Sequence, residues 1–155
     1  MKRFATMLLC LGFPLLLSPT VRLARAALGE PAASVETDRK ALSAVHRATT
    51  TTTTYTVQEV VSDANSVREY VSPSGVVFGI AWNGITQPDL ATLLGSYLDD
   101  YEQSLHKAAR PHGRRSLQVK GDRVIVEKWG NMRNQQGRAY VPSLIPSGVS
   151  PDEIK

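Results

Sequence analysis

Seven apolar residues fall on one stripe of a helix in the middle of this 155-residue chain, with strand-like segments before and after them. They are Leu90, Leu93, Leu94, Tyr97, Leu98, Tyr101 and Leu105. Thr86 and Asp89 form a capping pair, and Pro88 suits a first helical turn. The pattern predicts an amphipathic helix over 87–108, weakened at Gly95, that buries its stripe against a sheet.

Six strand-like segments flank this helix, three on each side. Alternating or β-branched residues bounded by turn residues predict strands over 55–61, 66–71 and 76–82 before it. After it, Gly121 and Asp122 form the tight turn of a hairpin over 117–129, a polar loop covers 130–136, and a short strand covers 138–141.

A second helix is predicted over 34–47, where Ser34 is a cap and Val35, Leu42 and Val45 share a face. The element order is then α-β-β-β-α-β-β-β. This order predicts an α+β fold with an antiparallel sheet and two helices, and it is compatible with two tandem α-β-β-β units.

Two features of the predicted sheet leave alternatives open. The threonines from Thr49 to Thr54 are either a solvated linker or the start of the next strand. Alternation divides the third strand into a large-residue face of Val76, Phe78, Ile80 and Trp82 and a small-residue face of Val77, Gly79 and Ala81. The long helix packs on one of these faces, and Trp82 is expected to lie in the core.

The first 26 residues have the three parts of a secretory signal peptide. Lys2 and Arg3 precede a predominantly apolar run of 14 residues, and small residues precede a cleavage site before Ala27. That run is shorter than the ~17–25 residues that span a bilayer. We therefore expect an exported protein, periplasmic or secreted, with no membrane span after cleavage. Its mature part, 27–155, is one α+β domain with an irregular, proline-rich C-terminal tail.

Cleavage also decides which chemistries the mature chain can use. Its 14 basic and 14 acidic residues balance, which argues against a nucleic-acid binder that neutralises phosphates. The single cysteine, Cys10, lies in the signal segment, so a disulfide and a thiol nucleophile are excluded after cleavage.

The candidate catalytic residues are Asp99, Glu102 and His106, which share a helix face as a loose carboxylate–imidazole cluster. No zinc motif accompanies them, and a solvated helix end is the favoured interpretation. We predict no catalytic residue, metal site or cofactor from this pattern.

The candidate binding residues are Tyr70, Arg114 and Arg115. Tyr70 alternates with Val71 and is expected to face outward. The two arginines belong to a basic C-terminal portion: 10 basic and 4 acidic residues from Lys107 onward, against 4 basic and 10 acidic over 27–106. Either the two portions neutralise each other within the fold, or the basic one is a patch for an anionic envelope component.

Three stretches of the chain are distinctive: VREYVSPSGVVFGIAWNG at 67–84, QPDL at 87–90 and LLGSY at 93–97. With ALGE at 27–30, they resemble a family of bacterial exported proteins, domain of unknown function 2844. The resemblance implies a bacterial envelope or secreted setting and implies no activity, cofactor or catalytic residue.

The function expected from these observations is that of a non-enzymatic envelope protein that binds a protein, peptide or glycan. The alternative is a hydrolase-like envelope enzyme that uses the carboxylate–His cluster. The envelope partner and the oligomeric state stay open.

Overall fold

The computed structural model describes residues 28–35, 39, 40, 42–108 and 116–155, which form a seven-stranded antiparallel sheet with helices on one face. The sheet order is β1-β2-β3-β4-β7-β6-β5, which confirms the predicted α+β class with an antiparallel sheet. No helix in the described ranges is long and apolar enough to cross a membrane. The strands are β1 Val45–Thr51, β2 Thr56–Val61, β3 Asn65–Val71, β4 Val77–Gly84, β5 Ser116–Lys120, β6 Ile125–Asn131 and β7 Asn134–Tyr140.

The predicted helix over 34–47 is wrong at its C-terminal end, because Val45 already begins β1. Ser34 ends a short 3-10 turn, and residues 36–38 and 41 lie outside the described part of the chain. The predicted order α-β-β-β-α-β-β-β, with its tandem units, is therefore not matched. Within the described ranges, four strands precede the long helical region and three follow it.

The threonine run closes a hairpin between β1 and β2. Thr49 to Thr51 end β1, where the β-branched side chains suit an extended backbone. At the turn, the backbone N–H of Thr52 donates to the carbonyl of Tyr55 at 2.8 Å, and the Thr52 hydroxyl accepts from the Tyr55 N–H at 3.0 Å. The run is thus partly strand and partly turn, and it starts no new strand.

The predicted helix over 87–108 forms two pieces, α1 Leu90–Leu94 and α2 Leu98–Lys107. Asp89 caps α1 as expected, since its carboxylate accepts from the Ala91 N–H at 3.0 Å. The interruption follows from Gly95, whose φ of +49° leaves the right-handed helical region. The apolar stripe of both pieces faces the sheet.

A β-bulge in β4 invalidates both predicted faces of that strand. Tyr70 pairs with Gly79 but Val71 pairs with Val77, so Phe78 is the extra residue. The bulge places Val77 with Ile80 and Trp82 on the helix side, and Phe78 with Ala81 on the other. The helices therefore pack on neither of the two faces that strict alternation predicts.

The face that carries Val77, Ile80 and Trp82, here called the helix-side face, forms the larger core together with α1 and α2. The opposite, tail-side face is covered by the C-terminal residues. Its core consists of Tyr70, Phe78, Ala81, Tyr140 and Ile154. The predicted irregular tail is thus a packed segment with two 3-10 turns, Pro142–Leu144 and Pro151–Glu153.

The predicted hairpin over 117–129 is confirmed as β5 and β6, but the polar loop predicted over 130–136 is wrong. Asn131 pairs with Asn134, so the chain turns tightly there and β7 begins at once. The first residues of β7 are exposed or half-buried at the end of the sheet, and for this reason they lack apolar alternation.

Asp100 of α2 holds the β5–β6 turn against the helix. Its carboxylate accepts from the backbone N–H groups of Arg123 at 2.9 Å, Val124 at 3.1 Å and Asp122 at 3.2 Å. Burial raises the pKa of the Asp100 carboxyl, but the three backbone hydrogen bonds and the Arg123 charge outweigh burial and lower it below its ordinary value.

We expect Asp100→Asn to lower the free energy of unfolding at pH 7 by about 1–3 kcal/mol, because backbone donors lose a charged acceptor. A lowered pKa in the folded state means that this stabilisation is complete above the ordinary carboxyl pKa of 3.8. It disappears as the pH falls through the folded-state value, so the variant should lose less stability on acidification than the parent.

The matched control is Asp99→Asn, since Asp99 is the exposed neighbour on the same helix. It should change stability by no more than about 0.5 kcal/mol. Urea melts at pH 7 and at pH 3 compare the three proteins. Equal losses for the two variants would show that Asp100 does not hold the turn.

Candidate functional site

A groove of about 420 Å³ lies where the β6–β7 hairpin meets β4, the loop before α1 and the start of β5. Among the residues that line it are Trp82 and Trp129, with Gln87, Asn131, Gln135 and Gln136. We call it the tryptophan groove. Because its walls come from segments far apart in the sequence, no single sequence motif predicts the groove.

Trp129 borders the groove and is half-buried, but its indole lies on the tail-side face, because Trp129 alternates in phase with Ile125 of that face and out of phase with Val126 of the helix-side core. Its indole Nε1–H donates to Oε1 of Gln136, the residue paired with it across the β6–β7 ladder, at 3.0 Å. The Nε2 of Gln136 donates in turn to Oδ1 of Asn134 at 3.0 Å. This chain of hydrogen bonds fixes the orientation of the indole and of the amide beside it.

Trp82 forms the floor and is 2% exposed, which confirms the core position predicted for it. Its ring occupies the space above Gly137. A Cβ atom on that glycine would lie 2.6 Å from Cε2 of Trp82 and 2.7 Å from the carbonyl oxygen of Glu127. The absence of a side chain at Gly137 is therefore what admits the Trp82 ring.

Lys128 is the one residue with a charged side chain among the described residues that line the groove. Its ammonium donates to the Tyr101 hydroxyl at 2.8 Å and lies 5.5 Å from the centre of that ring. The charge is thus directed towards α2. Met132, 92% exposed, stands at the rim and adds apolar surface to the hairpin end.

The side chains that line the groove can form hydrogen bonds. Amide side chains present both donors and acceptors. The described lining holds no carboxylate, imidazole or thiol, but it does hold the Lys128 ammonium and the Ser116 hydroxyl. The amides give the groove the means to hold a polar ligand.

Tyr70 does not face outward as the sequence predicts. It is 4% exposed under the C-terminal segment, where its hydroxyl donates to the main-chain oxygen of Lys155 at 2.8 Å and accepts from the Lys155 N–H at 3.1 Å. The bulge opposite Tyr70 and the packed tail together give this face a core of its own.

Arg114 and Arg115, the other predicted binding residues, lie outside the described residues, so their role stays a prediction. Nearby basic side chains make internal contacts. Arg123 lies 4.9 Å from the centre of the Tyr97 ring, and Arg138 pairs with Glu127 at 2.5 Å and with Asp152 at 3.2 Å. Both acidic partners of Arg138 belong to the C-terminal portion, so charge is also neutralised within that portion.

Asp99, Glu102 and His106 are all exposed on α2, on the side directed away from the sheet. In the part of the chain that the structure describes, no three His, Cys, Asp or Glu residues lie close enough to hold a metal ion. The tryptophan groove and this helix face are separate places on the molecule, since the groove includes none of the three residues.

Glu69 is a buried residue that the sequence analysis missed. It is 0% exposed on β3, in the row that also holds Ile80. Val67, Glu69 and Val71 alternate along β3, so the Glu69 carboxylate is in phase with two core valines. This alternation was the sequence signal that could have predicted the burial of Glu69. A carboxylate at that depth needs polar partners, and Glu69 does make such an interaction.

No curated protein and no solved structure is significantly similar to this chain. One family model matches it, that of the protein family of unknown function DUF2844, over residues 24–154. The match includes every described strand and helix, as well as the residues of the tryptophan groove. The chain therefore belongs to the DUF2844 family.

Proposed function

We propose that this protein is a non-enzymatic binding protein of the cell envelope, and that a neutral glycan binds on the Trp129 indole beside the tryptophan groove. One observation carries the proposal: the half-buried indole is held in one orientation by the amide of Gln136, which is itself held by Asn134. The sequence leaves three ligand classes open: protein, peptide and glycan. Of these three, we propose the glycan.

Sugar rings match these side chains in two ways. Their hydroxyl groups donate and accept hydrogen bonds, as do the amides of Gln136 and Asn134 beside Trp129. Their C–H faces are apolar and weakly positive, so they stack on the negative face of an indole such as Trp129. A few polar groups around an apolar wall are typical of small-ligand sites.

A neutral ligand suits the charges around the indole. On the same face of β6, the carboxylate of Glu127 already pairs with the guanidinium of Arg138. A ligand with a carboxylate or phosphate would need a cation released from this contact. We therefore place neutral oligosaccharides ahead of anionic ones.

The envelope setting rests on the N-terminal pattern of Lys2 and Arg3, an apolar run and small residues before Ala27. Protein recovered from the periplasm or the medium should have the intact mass of a chain that begins at or near Ala27. A mass that includes residues 1–26 would contradict export with cleavage.

The binding proposal is tested by titrating the protein with neutral oligosaccharides of glucose and of N-acetylglucosamine, while following tryptophan fluorescence. We expect saturable binding to at least one of them. Trp129→Ala should weaken it about tenfold or more, since a stacked aromatic contact contributes about 0.5–1.5 kcal/mol beyond its buried area. Gln136→Ala should also weaken it, because the indole loses its orienting partner.

The control is Ile85→Ala, which removes an exposed apolar side chain outside the groove and should bind like the parent. Oligogalacturonate serves as the anionic comparison. Binding that Trp129→Ala leaves unchanged, or binding of oligogalacturonate alone, would contradict the proposal.

A further inference from the structure

The last six residues, Ser150 to Lys155, lie on the tail-side face of the sheet like a bound peptide. We call them the tail segment. Its anchor is Ile154, which is 0% exposed and fills the space above Gly79. A Cβ atom on Gly79 would lie 2.7 Å from Cδ1 of Ile154, so the glycine forms the floor of an isoleucine pocket.

Side chains of the sheet bind the main chain of the tail segment. The Tyr70 hydroxyl contacts both the N–H and the carbonyl oxygen of Lys155, at 3.1 and 2.8 Å. Arg138 donates to the carbonyl oxygens of Pro151 at 2.7 Å and of Ile154 at 3.5 Å. Because main-chain groups are recognised, another peptide of similar shape offers the same partners.

Acidic side chains of the tail segment add specificity. Arg138 also donates to Asp152 at 3.2 Å, and the Tyr55 hydroxyl donates to Glu153 at 3.1 Å. These contacts come from β7 and from the turn before β2, while the isoleucine pocket lies on β4. The sheet therefore recognises two acidic residues followed by an isoleucine.

The tail segment is also a self-contained unit. Ser150 and Glu153 form a reciprocal capping box around a single 3-10 turn. Apart from Ile154, its residues are exposed or half-buried, and exposed Ser147 and Gly148 precede it. A segment with one buried anchor opens more easily than the strands beneath it.

We propose that the tail-side face is a peptide-binding site, filled in cis by the tail segment, that accepts in trans a peptide with the pattern Pro-acidic-acidic-Ile. The attached segment competes at an effective concentration of ~mM, so the site is open to a second peptide only when the segment detaches. The contacts of the tail segment include neither Trp129 nor Gln136, so peptide binding and glycan binding are tested by different variants.

The test uses the full chain with Ile154→Ala and a labelled, end-capped peptide of sequence Ser-Pro-Asp-Glu-Ile-Lys. Losing the anchor should weaken cis docking by about 30-fold or more. We expect saturable binding of the peptide to Ile154→Ala by fluorescence anisotropy, and at least about tenfold weaker binding to the parent. The Ile85→Ala chain should behave like the parent, and a peptide with alanine in place of isoleucine should not bind.

Hydrogen exchange of the parent provides a measurement that does not depend on how well the variant folds. The amides of Ile154 and Lys155 should exchange at least about tenfold faster than those of β3 and β4, through local opening. If these amides exchange only with the whole sheet, or if a folded Ile154→Ala chain does not bind the peptide, the tail is a fixed part of the core and the proposal is wrong.

Discussion

Leu94→Ala should lower the free energy of unfolding by about 2–5 kcal/mol, a large loss for a single truncation. Leu94 is 0% exposed and lies in the core between α1 and the helix-side face. Removing its side chain loses the transfer free energy of the buried groups and leaves a cavity. That loss is a large share of the ~5–15 kcal/mol by which a domain is stable.

Ile85→Ala is the control for this truncation, because Ile85 is 57% exposed just before the helical region. Its effect should stay within about 0.5 kcal/mol. Urea melts of both variants against the parent provide the comparison. Similar small losses for both would mean that the helical stripe does not pack on the sheet.

Gly137→Ala should also be strongly destabilising, with a loss of about 1–3 kcal/mol or more. The new methyl group meets the Trp82 ring and the backbone oxygen of Glu127, and neither has room to move in a packed sheet. The displaced indole should also change the floor of the tryptophan groove. We expect lower stability together with altered tryptophan fluorescence.

Gly79→Ala, the same substitution in the neighbouring β4, is the matched control. The nearest atoms to its methyl group are three side-chain carbons of Ile154 and no backbone atom, so the loss in a urea melt should be smaller. Equal losses for the two glycines, with unchanged fluorescence for Gly137→Ala, would contradict the packing of Trp82 on Gly137.

Local patterns were sufficient for several elements of the fold. The structure confirms three elements that short-range patterns predict. These are the strand over 66–71, the hairpin turn at Gly121 and Asp122, and the apolar stripe from Leu90 to Leu105. Each depends on residues a few positions apart, which are the contacts that a sequence pattern describes directly.

The errors arise where contacts distant in sequence override the local pattern. The bulge at Phe78 changes the phase of β4, and a pattern of strict alternation does not show a bulge. Val45 fits the helical spacing of Leu42, but it is β-branched, and its pairing with Val61 places it in a strand. Tyr70 is covered by Lys155, which lies 85 positions away.

The tryptophan groove could not be predicted from the sequence for the same reason. Trp82, Gln87 and Trp129 converge only after β4 pairs with β7 and β7 with β6. Alternation identified Trp82 as a core residue but contained no information on the amides that surround the second indole. The predicted Tyr70 and the exposed cluster on α2 lie elsewhere on the molecule.

The most direct test of glycan binding is a nuclear magnetic resonance titration that follows the indole N–H groups. The chain has two tryptophans, so the spectrum contains two such signals, one from Trp82 on the helix-side face and one from Trp129 on the tail-side face. Adding a neutral oligosaccharide should shift the Trp129 signal saturably, and the Trp82 signal less. If both indole signals stay in place while signals elsewhere shift saturably, or if no signal shifts, Trp129 is not part of a glycan site.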